Sequence, residues 1–258
     1  MNILSRGVRW VAQRCGYSLV RCRPETGLPV DFPDSDITTI HAVQPYTKTS
    51  AERINALIDA VRYVVRSGIP GTFVECGVWR GGSMMAVART LVEMGVTDRE
   101  LYLFDTYTGM TAPGEADVSR SGVEATSKFA KRATGSDSSD WCLAGLDDVR
   151  QNMASTGYPM HRVHLVEGKV EDTLPGQAPP SIAILRLDTD WYASTKHEME
   201  QLYPRLVQDG VLIIDDYGDW LGARKAVDEY LGEHQLPLLL HRVDDTARLA
   251  LKRDRRAA

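Results

Sequence analysis

The sequence contains, at residues 72–83, the run Thr-Phe-Val-Glu-Cys-Gly-Val-Trp-Arg-Gly-Gly-Ser. Its first five residues, Thr72 to Cys76, are mostly apolar and predict a short buried strand. The glycines that follow allow the backbone to turn tightly and to approach a ligand, and Ser83 is a candidate N-cap for a helix reaching about Met94. A strand, a glycine-rich turn and a helix in this order indicate the first unit of a doubly wound α/β sheet.

The same alternation continues outward from this run. Thr49 and Glu52 form a capping box before a helical apolar stripe, which ends at Gly68. Further strands are expected at 101–104, 163–166, 182–187, 211–214, 238–242 and 249–252, and further helices at 146–154, 194–206 and 223–231. We therefore predict a Rossmann-like, mostly parallel sheet with an antiparallel edge. The long polar stretch 106–140 is expected to be a lid-like insertion, because loops of that length are usually functional or mobile.

Composition and charge limit the class of protein. The 258 residues are 43% apolar and 25% charged, which is typical of a globular protein. The net charge of −5 argues against a nucleic-acid partner, and no apolar run is long enough to span a membrane. Four scattered cysteines form neither a disulfide framework nor a zinc motif. These features predict a reduced, cytoplasmic protein.

The amino-terminal segment has a different charge from the rest of the chain. Residues 1–23 contain five arginines and no acid, so they carry +5 while the remainder carries −10. Apolar residues alternate with these arginines as in a short amphipathic helix, which either rests on an anionic membrane surface or packs on its own domain or a second subunit. The Pro- and Asp-rich stretch that follows, residues 24–36, is expected to be a linker or mobile arm. We predict two parts, a helical arm and lid over 1–48 and a catalytic domain over 49–258, and a homodimer.

Two strand ends near the glycine-rich turn predict a nucleoside site. Glu75 and Gly77 follow the first strand, and Asp105 ends the next, where a carboxylate can accept hydrogen bonds from ribose hydroxyls. The dinucleotide and phosphate-loop glycine patterns are absent from the sequence, which disfavours an NAD-dependent oxidoreductase. A nucleoside without a pyrophosphate fits better.

Two later strand ends carry four aspartates. Asp188 and Asp190 follow one strand, and Asp215 and Asp216 follow the next in sequence. If these strands are neighbours, the carboxylates converge and repel one another unless a cation lies among them. Oxygen ligands favour a hard ion such as Mg²⁺, and Arg186 is a candidate counter-ion.

Three motifs together resemble the macrocin O-methyltransferase (TylF) family, which includes sugar methyltransferases of the mycinamicin and novobiocin pathways. These are residues 73–83, Leu185-Arg-Leu-Asp-Thr-Asp-Trp-Tyr192 and Gly210-Val-Leu-Ile-Ile-Asp-Asp-Tyr-Gly218. The resemblance covers about residues 43–231. It implies a class I methyltransferase fold, S-adenosylmethionine as methyl donor, and Mg²⁺-dependent methylation of a sugar hydroxyl.

The resemblance also implies residue roles. The metal would be held by Asp188, Asp215 and Asp216, and Asp190 would be the general base. The implied cofactor-binding residues are Glu75, Gly77, Arg80, Gly81, Ser83 and Asp105, with Trp141 against the adenine. The segment 41–50 would act as a substrate lid, and the candidate acceptor contacts are His41, Lys48, Trp191 and Tyr192. Lys48 stands where an apolar methionine is expected.

Other functions stay open at this point. A methyltransferase of the same mechanism could act on a catechol-like or other vicinal diol, or on a glycolipid. A non-catalytic glycan-binding protein on the same scaffold is disfavoured by the presence of all four aspartates.

Overall fold

The computed structural model describes residues 3–17, 19 and 22–253, and gives only the backbone of residues 3–6 and 9. The chain divides into two compact units, residues 1–38 and 39–258. The helices are α1 Ile3–Arg14, α2 Asp34–Val43, α3 Ala51–Arg66, α4 Gly82–Glu93, α5 Ala125–Arg132, α6 Leu146–Ala154, α7 Val170–Thr173, α8 Tyr192–Leu202 and α9 Leu221–Glu233. The strands are β1 Thr72–Cys76, β2 Leu101–Asp105, β3 Ala133–Gly135, β4 Ser138–Ser139, β5 Val163–Glu167, β6 Ile182–Leu187, β7 Leu206–Ile214, β8 His241–Arg242 and β9 Arg248–Leu251.

The first unit contains the predicted amino-terminal helix, α1. The arm after it is more ordered than its composition indicates, because α2 begins at Asp34, inside the stretch expected to be a linker. The Arg23 guanidinium binds the Asp34 carboxylate and donates to the Phe32 carbonyl oxygen at 2.6 Å. Asp34 and Asp36 lie in the first turn of α2, where carboxylates are favoured by the helix dipole. Arg21, one of the arginines that predict a basic face, lies outside the described residues.

A seven-stranded sheet forms the second unit, in the order β5-β2-β1-β6-β7-β9-β8. The first five strands in this order are parallel, and at one edge β9 pairs antiparallel with β7 and β8 pairs antiparallel with β9. The predicted fold class is therefore confirmed. The strand order reverses between β1 and β6, and ligands of doubly wound sheets bind at the carboxyl ends of strands at such a point.

Alternating side chains explain why helices cover both faces of the sheet. Val74 and Cys76 of β1 belong to the buried apolar cluster that includes Met199 of α8 and Val227 of α9. Glu75, between them, lies on the opposite face, where α3 contacts β6 and β7. No helix in the described ranges is both long and apolar enough to cross a bilayer.

Several element boundaries differ from the prediction. Ser50, not Thr49, caps α3, and its hydroxyl oxygen accepts from the Arg53 amide at 3.2 Å. Gly81 is the N-cap of α4, so Ser83 lies inside the first turn rather than capping it. The expected strand 238–242 is reduced to β8, since only its last two residues pair with β9. The 106–140 insertion contains α5 and the β3–β4 hairpin.

Candidate active site

Carboxyl ends of four parallel strands, β1, β2, β6 and β7, border a cavity of about 320 Å³. The backbone hydrogen bonds keep these ends level: the Asp188 amide donates to the Cys76 carbonyl and the Asp215 amide to the Leu187 carbonyl, both at 2.9 Å. The side chains that follow the strands therefore meet at one place. Nine of the predicted site residues line this cavity: Lys48, Gly77, Ser83, Asp105, Trp141, Asp188, Asp190, Asp215 and Asp216.

Three aspartates form an oxygen cluster at this edge. One carboxylate oxygen from each of Asp188, Asp215 and Asp216 lies within 4.8 Å of the other two. Asp216 Oδ2 is buried and has no hydrogen-bond partner among the described residues. Burial, together with the neighbouring carboxylates, raises the pKa of Asp188 and of Asp216 well above the usual range. An unpartnered oxygen in a set of three hard donors fits a divalent cation such as Mg²⁺.

Asp190 adjoins this cluster. Its carboxyl group shares a hydrogen bond with that of Asp216, and burial raises the pKa of Asp190 to about 8. Its backbone has a φ of 68°, in the left-handed region that aspartate tolerates better than most residues. The turn after β6 thus brings Asp188 and Asp190 to the same cavity, as their spacing predicts.

A buried arginine links the cluster to the first strand. Arg186, which is 2% exposed, pairs across the sheet with Glu75 and contacts the carboxylates of Glu75 and Asp215. It also donates to Asp188 Oδ2 at 2.6 Å and to Thr49 Oγ1 at 3.0 Å. These carboxylates raise the pKa of Arg186 well above its usual value against the opposing effect of burial. Arg186 is therefore the predicted counter-ion.

Replacing Arg186 by methionine should strongly destabilise the fold. Two buried carboxylates, Glu75 and Asp215, and the half-buried Asp188 would lose their shared cation. Breaking a buried ion pair typically lowers the free energy of unfolding by about 3–5 kcal/mol. Urea denaturation at neutral pH measures this loss. Arg162→Met is the control, since Arg162 pairs with Glu100 at the surface, and it should have a much smaller effect. Equal losses in the two variants would contradict the role given to Arg186.

The loop after β1 is held by Asp105. Its carboxylate accepts hydrogen bonds from the amides of Val78, Trp79 and Tyr107 at 2.7, 3.1 and 2.8 Å. Gly77 has a φ of 80°, and a Cβ there would lie 2.1 Å from the Asp188 carbonyl oxygen, so only glycine allows this approach. Asp105 thus orders the glycine-rich turn as well as lining the cavity.

A second, smaller cavity of about 70 Å³ adjoins the first and shares Gly77, Asp105 and Asp188 with it. Its other walls include Gly168, Lys169 and Val170, which follow the carboxyl end of β5. These residues were not predicted from the sequence. They directly follow β5, a parallel strand next to β2, and this position in the sequence could have identified them as lining residues.

Three tryptophans pack together beside the aspartates. The ring of Trp191 lies 5.5 Å from that of Trp141 and 5.0 Å from that of Trp220, both edge-on. Trp141 and Trp220 line the larger cavity, whereas Trp191 does not line it and donates from Nε1 to the Thr111 carbonyl at 3.1 Å. Trp141 therefore borders the aspartate cavity and not the smaller one. Trp220 was missed by sequence reasoning.

Six predicted residues line neither of these cavities: Glu75 and Trp191, described above, and Arg80, Gly81, Tyr192 and His41. Arg80 donates two hydrogen bonds to Asp148, at 2.8 and 2.9 Å, and Gly81 packs beneath Val149 of α6. Tyr192 donates to Glu229 at 2.6 Å, and His41 is exposed at the end of α2. None of these last four residues therefore borders the aspartate cavity.

Comparison with known proteins is consistent with this geometry. The family model described as Macrocin-O-methyltransferase (TylF) matches residues 36–251. A tetracenomycin rhamnosyl 4'-O-methyltransferase from Streptomyces olivaceus is 33% identical over 83% of this chain and 79% of its own. Demethyldecarbamoylnovobiocin O-methyltransferase from Streptomyces niveus is 30% identical over 72% of this chain and 67% of its own.

Solved structures share the fold. The O-methyltransferase NovP superposes with a TM-score of 0.72 at 26% identity, covering 81% of this chain and 83% of NovP. A Podospora anserina methyltransferase bound to S-adenosylhomocysteine superposes with a TM-score of 0.51 at 15% identity, covering 98% of each chain. The fold is therefore that of S-adenosylmethionine-binding methyltransferases.

Proposed function

Because the chain belongs to the macrocin O-methyltransferase (TylF) family and is an O-methyltransferase, we propose that it methylates a sugar hydroxyl of a glycosylated natural product or glycan. The donor would be S-adenosylmethionine and the metal Mg²⁺. The observation that carries the proposal is the convergence of three carboxylate oxygens beside the glycine-rich turn. The tetracenomycin relative, whose name specifies a rhamnosyl group, supports the acceptor class.

The cofactor would occupy both cavities. The smaller one lies between Asp105 and Gly168, where an adenosine would be flanked by the ends of β2 and β5. Gly77 and Ser83 line the larger cavity, beside the site where the methionine part would lie. Glu75 supports this side of the site, because its buried Oε2 has no hydrogen-bond partner among the described residues. An amino group of the ligand would satisfy that oxygen.

Asp188, Asp215 and Asp216 would hold the metal. A bound Mg²⁺ would lower the pKa of a sugar hydroxyl that coordinates it, as metals do for bound water. Asp190, next to Asp216, would then accept the hydroxyl proton as the methyl group is transferred. Trp141 and Trp220 would form an apolar wall for one face of the sugar and hold the acceptor in line with the donor.

Isothermal titration with S-adenosylmethionine, with and without Mg²⁺, tests this proposal. We expect micromolar cofactor binding in both conditions, and methyl transfer to rhamnose-, fucose- or mannose-type acceptors only with Mg²⁺. Mg²⁺ affinity should rise with pH, because burial raises the pKa of Asp188 and Asp216 and their protons must leave when the metal binds. Absence of cofactor binding would refute the proposal. Methyl transfer to catechols alone would mean that the acceptor is another vicinal diol and not a sugar.

We also propose that the amino-terminal helix contacts anionic membranes. Val8, Trp10 and Val11 are more than half exposed on α1, and Arg14 lies over the Trp10 ring. A basic helix with exposed apolar residues is typical of surface-bound membrane helices. The chain should therefore sediment with phosphatidylglycerol vesicles but not with neutral phosphatidylcholine vesicles, and Val11→Asp should release it. Leu239→Asp, at an exposed site in the second unit, is the control.

The homodimer expected from the sequence also stays a prediction, and light scattering of the full chain would test it.

A further inference from the structure

Two lysines of the larger cavity have no ion-pair partner within the described part of the chain. Lys48 precedes α3 and Lys128 lies in α5, and both are exposed side chains of the lining. The third lining cation, Arg53, binds the carboxylates of Asp215 and Asp244. The lysines instead lie over aromatic rings: the Nζ atoms of Lys48 and Lys128 are 4.6 and 3.8 Å from the ring centres of Trp79 and Trp141.

Both ammonium groups contact the dipeptide Trp141-Cys142. Lys48 Nζ donates to Cys142 Sγ at 2.9 Å, and Lys128 Nζ lies over the Trp141 ring. The dipeptide is fixed in place, since the Trp141 carbonyl accepts from the Met110 amide at 2.9 Å. Two segments distant in sequence thus bring positive charge to one wall of the cavity.

Neutralising the aspartates does not explain these lysines. Asp105, Asp188, Asp190, Asp215, Asp216 and Asp219 line the same cavity, yet none lies within ion-pair distance of either lysine. An ammonium group has three donors, and a thiol and a ring face satisfy few of them. Arg53 and Arg186, by contrast, bind carboxylates directly. The charges of Lys48 and Lys128 therefore remain available to a ligand.

We propose that Lys48 and Lys128 bind an anionic group of the acceptor, a carboxylate or a phosphate, while the hydroxyl to be methylated lies at the aspartates. Charge-assisted hydrogen bonds from two ammonium groups suit such an anion. The acceptor class is then a uronic acid glycoside, or a sugar carrying a phosphate or nucleoside diphosphate. This inference rests on the sugar methyl transfer proposed above and restricts its substrate.

Calorimetry on the full chain, saturated with S-adenosylhomocysteine and Mg²⁺, tests the proposal with matched ligands. One pair is a methyl glucuronide and its neutral methyl ester, and the other is a sugar 1-phosphate and its methyl glycoside. The wild type should bind the anionic member of at least one pair about 10-fold more tightly or better, since hydrogen bonds to charged groups contribute at this scale. The pair that shows the preference identifies the anion.

Lysine variants test whether Lys48 and Lys128 cause the preference for the anionic ligand. Lys48→Met and Lys128→Met should each weaken binding of the anionic member, and the double variant should abolish the preference while retaining affinity for the neutral member. Lys131→Met, an exposed change in the same helix outside both cavities, should retain the preference. Equal affinity of the wild type for both members of each pair would overturn the proposal. So would variants that lose S-adenosylmethionine affinity instead, because the lysines would then bind the cofactor's carboxylate. These outcomes can be distinguished from failure of the proposed function, because in that case the wild type itself would not bind S-adenosylmethionine.

Discussion

Replacing Asp188 by alanine is expected to lower Mg²⁺-dependent turnover by about 10³-fold or more while S-adenosylmethionine binding stays close to that of the wild type. Asp188 supplies one of the three clustered carboxylate oxygens, whereas the glycine-rich turn and Asp105 belong to other strand ends. Removing one ligand of a hard cation weakens its binding and leaves the acceptor hydroxyl with its ordinary pKa. Single-turnover assays and calorimetry with the cofactor measure the two effects separately.

Two further variants define what this result means. Asp216→Asn changes a proposed ligand that forms no ion pair with Arg186 in the described part of the chain, so it tests the metal site without disturbing the buried arginine. Asp219→Asn changes another carboxylate of the same cavity that lies outside the three-oxygen cluster, and it should retain turnover. Loss of cofactor affinity in Asp188→Ala would instead make the aspartates part of the nucleoside pocket.

The aspartate site was predictable because strand ends were predictable. The five parallel strands of the sheet contain short apolar runs bounded by turns, and each of these strands was identified from sequence. Acids that directly follow such runs must lie at the carboxyl edge, so only the adjacency of β6 and β7 had to be assumed. The structure confirms that adjacency. The same reasoning identified Arg186, because a charged residue inside an apolar strand requires buried partners.

The walls of the site were less predictable, because they come from the long insertion and from packing between distant segments. The polar composition of 106–140 conceals α5, whose buried residues are Ala125 and Phe129. Nothing in the local sequence brings Trp141 to Trp220, since their contact depends on how the insertion folds over α9 and its preceding turn. Lys128 reaches the cavity for the same reason. Tertiary contacts of this kind leave no periodic signal.

Replacing Asp190 by asparagine is expected to lower turnover by about 10²- to 10⁴-fold, the range of general base catalysis, while Mg²⁺ and S-adenosylmethionine affinities are retained. Asparagine has the same shape and also tolerates the positive φ at this position, so the turn after β6 should persist. What the variant loses is the ability to accept a proton. Its amide can still hydrogen bond with Asp216, which keeps the neighbouring cluster in place.

The comparison of the two aspartate variants distinguishes the base from the ligands. Asp190→Asn should still bind Mg²⁺ but should not recover activity at high Mg²⁺ concentration. Asp188→Ala should lose Mg²⁺ affinity. Their effects should also be less than additive in a double variant, because a base has little to accept once the metal no longer acidifies the hydroxyl. Substantial turnover in Asp190→Asn would remove this residue as the base. Lost Mg²⁺ affinity in the same variant would make it a fourth ligand, and the proton acceptor would then have to be sought among the other side chains of the cavity.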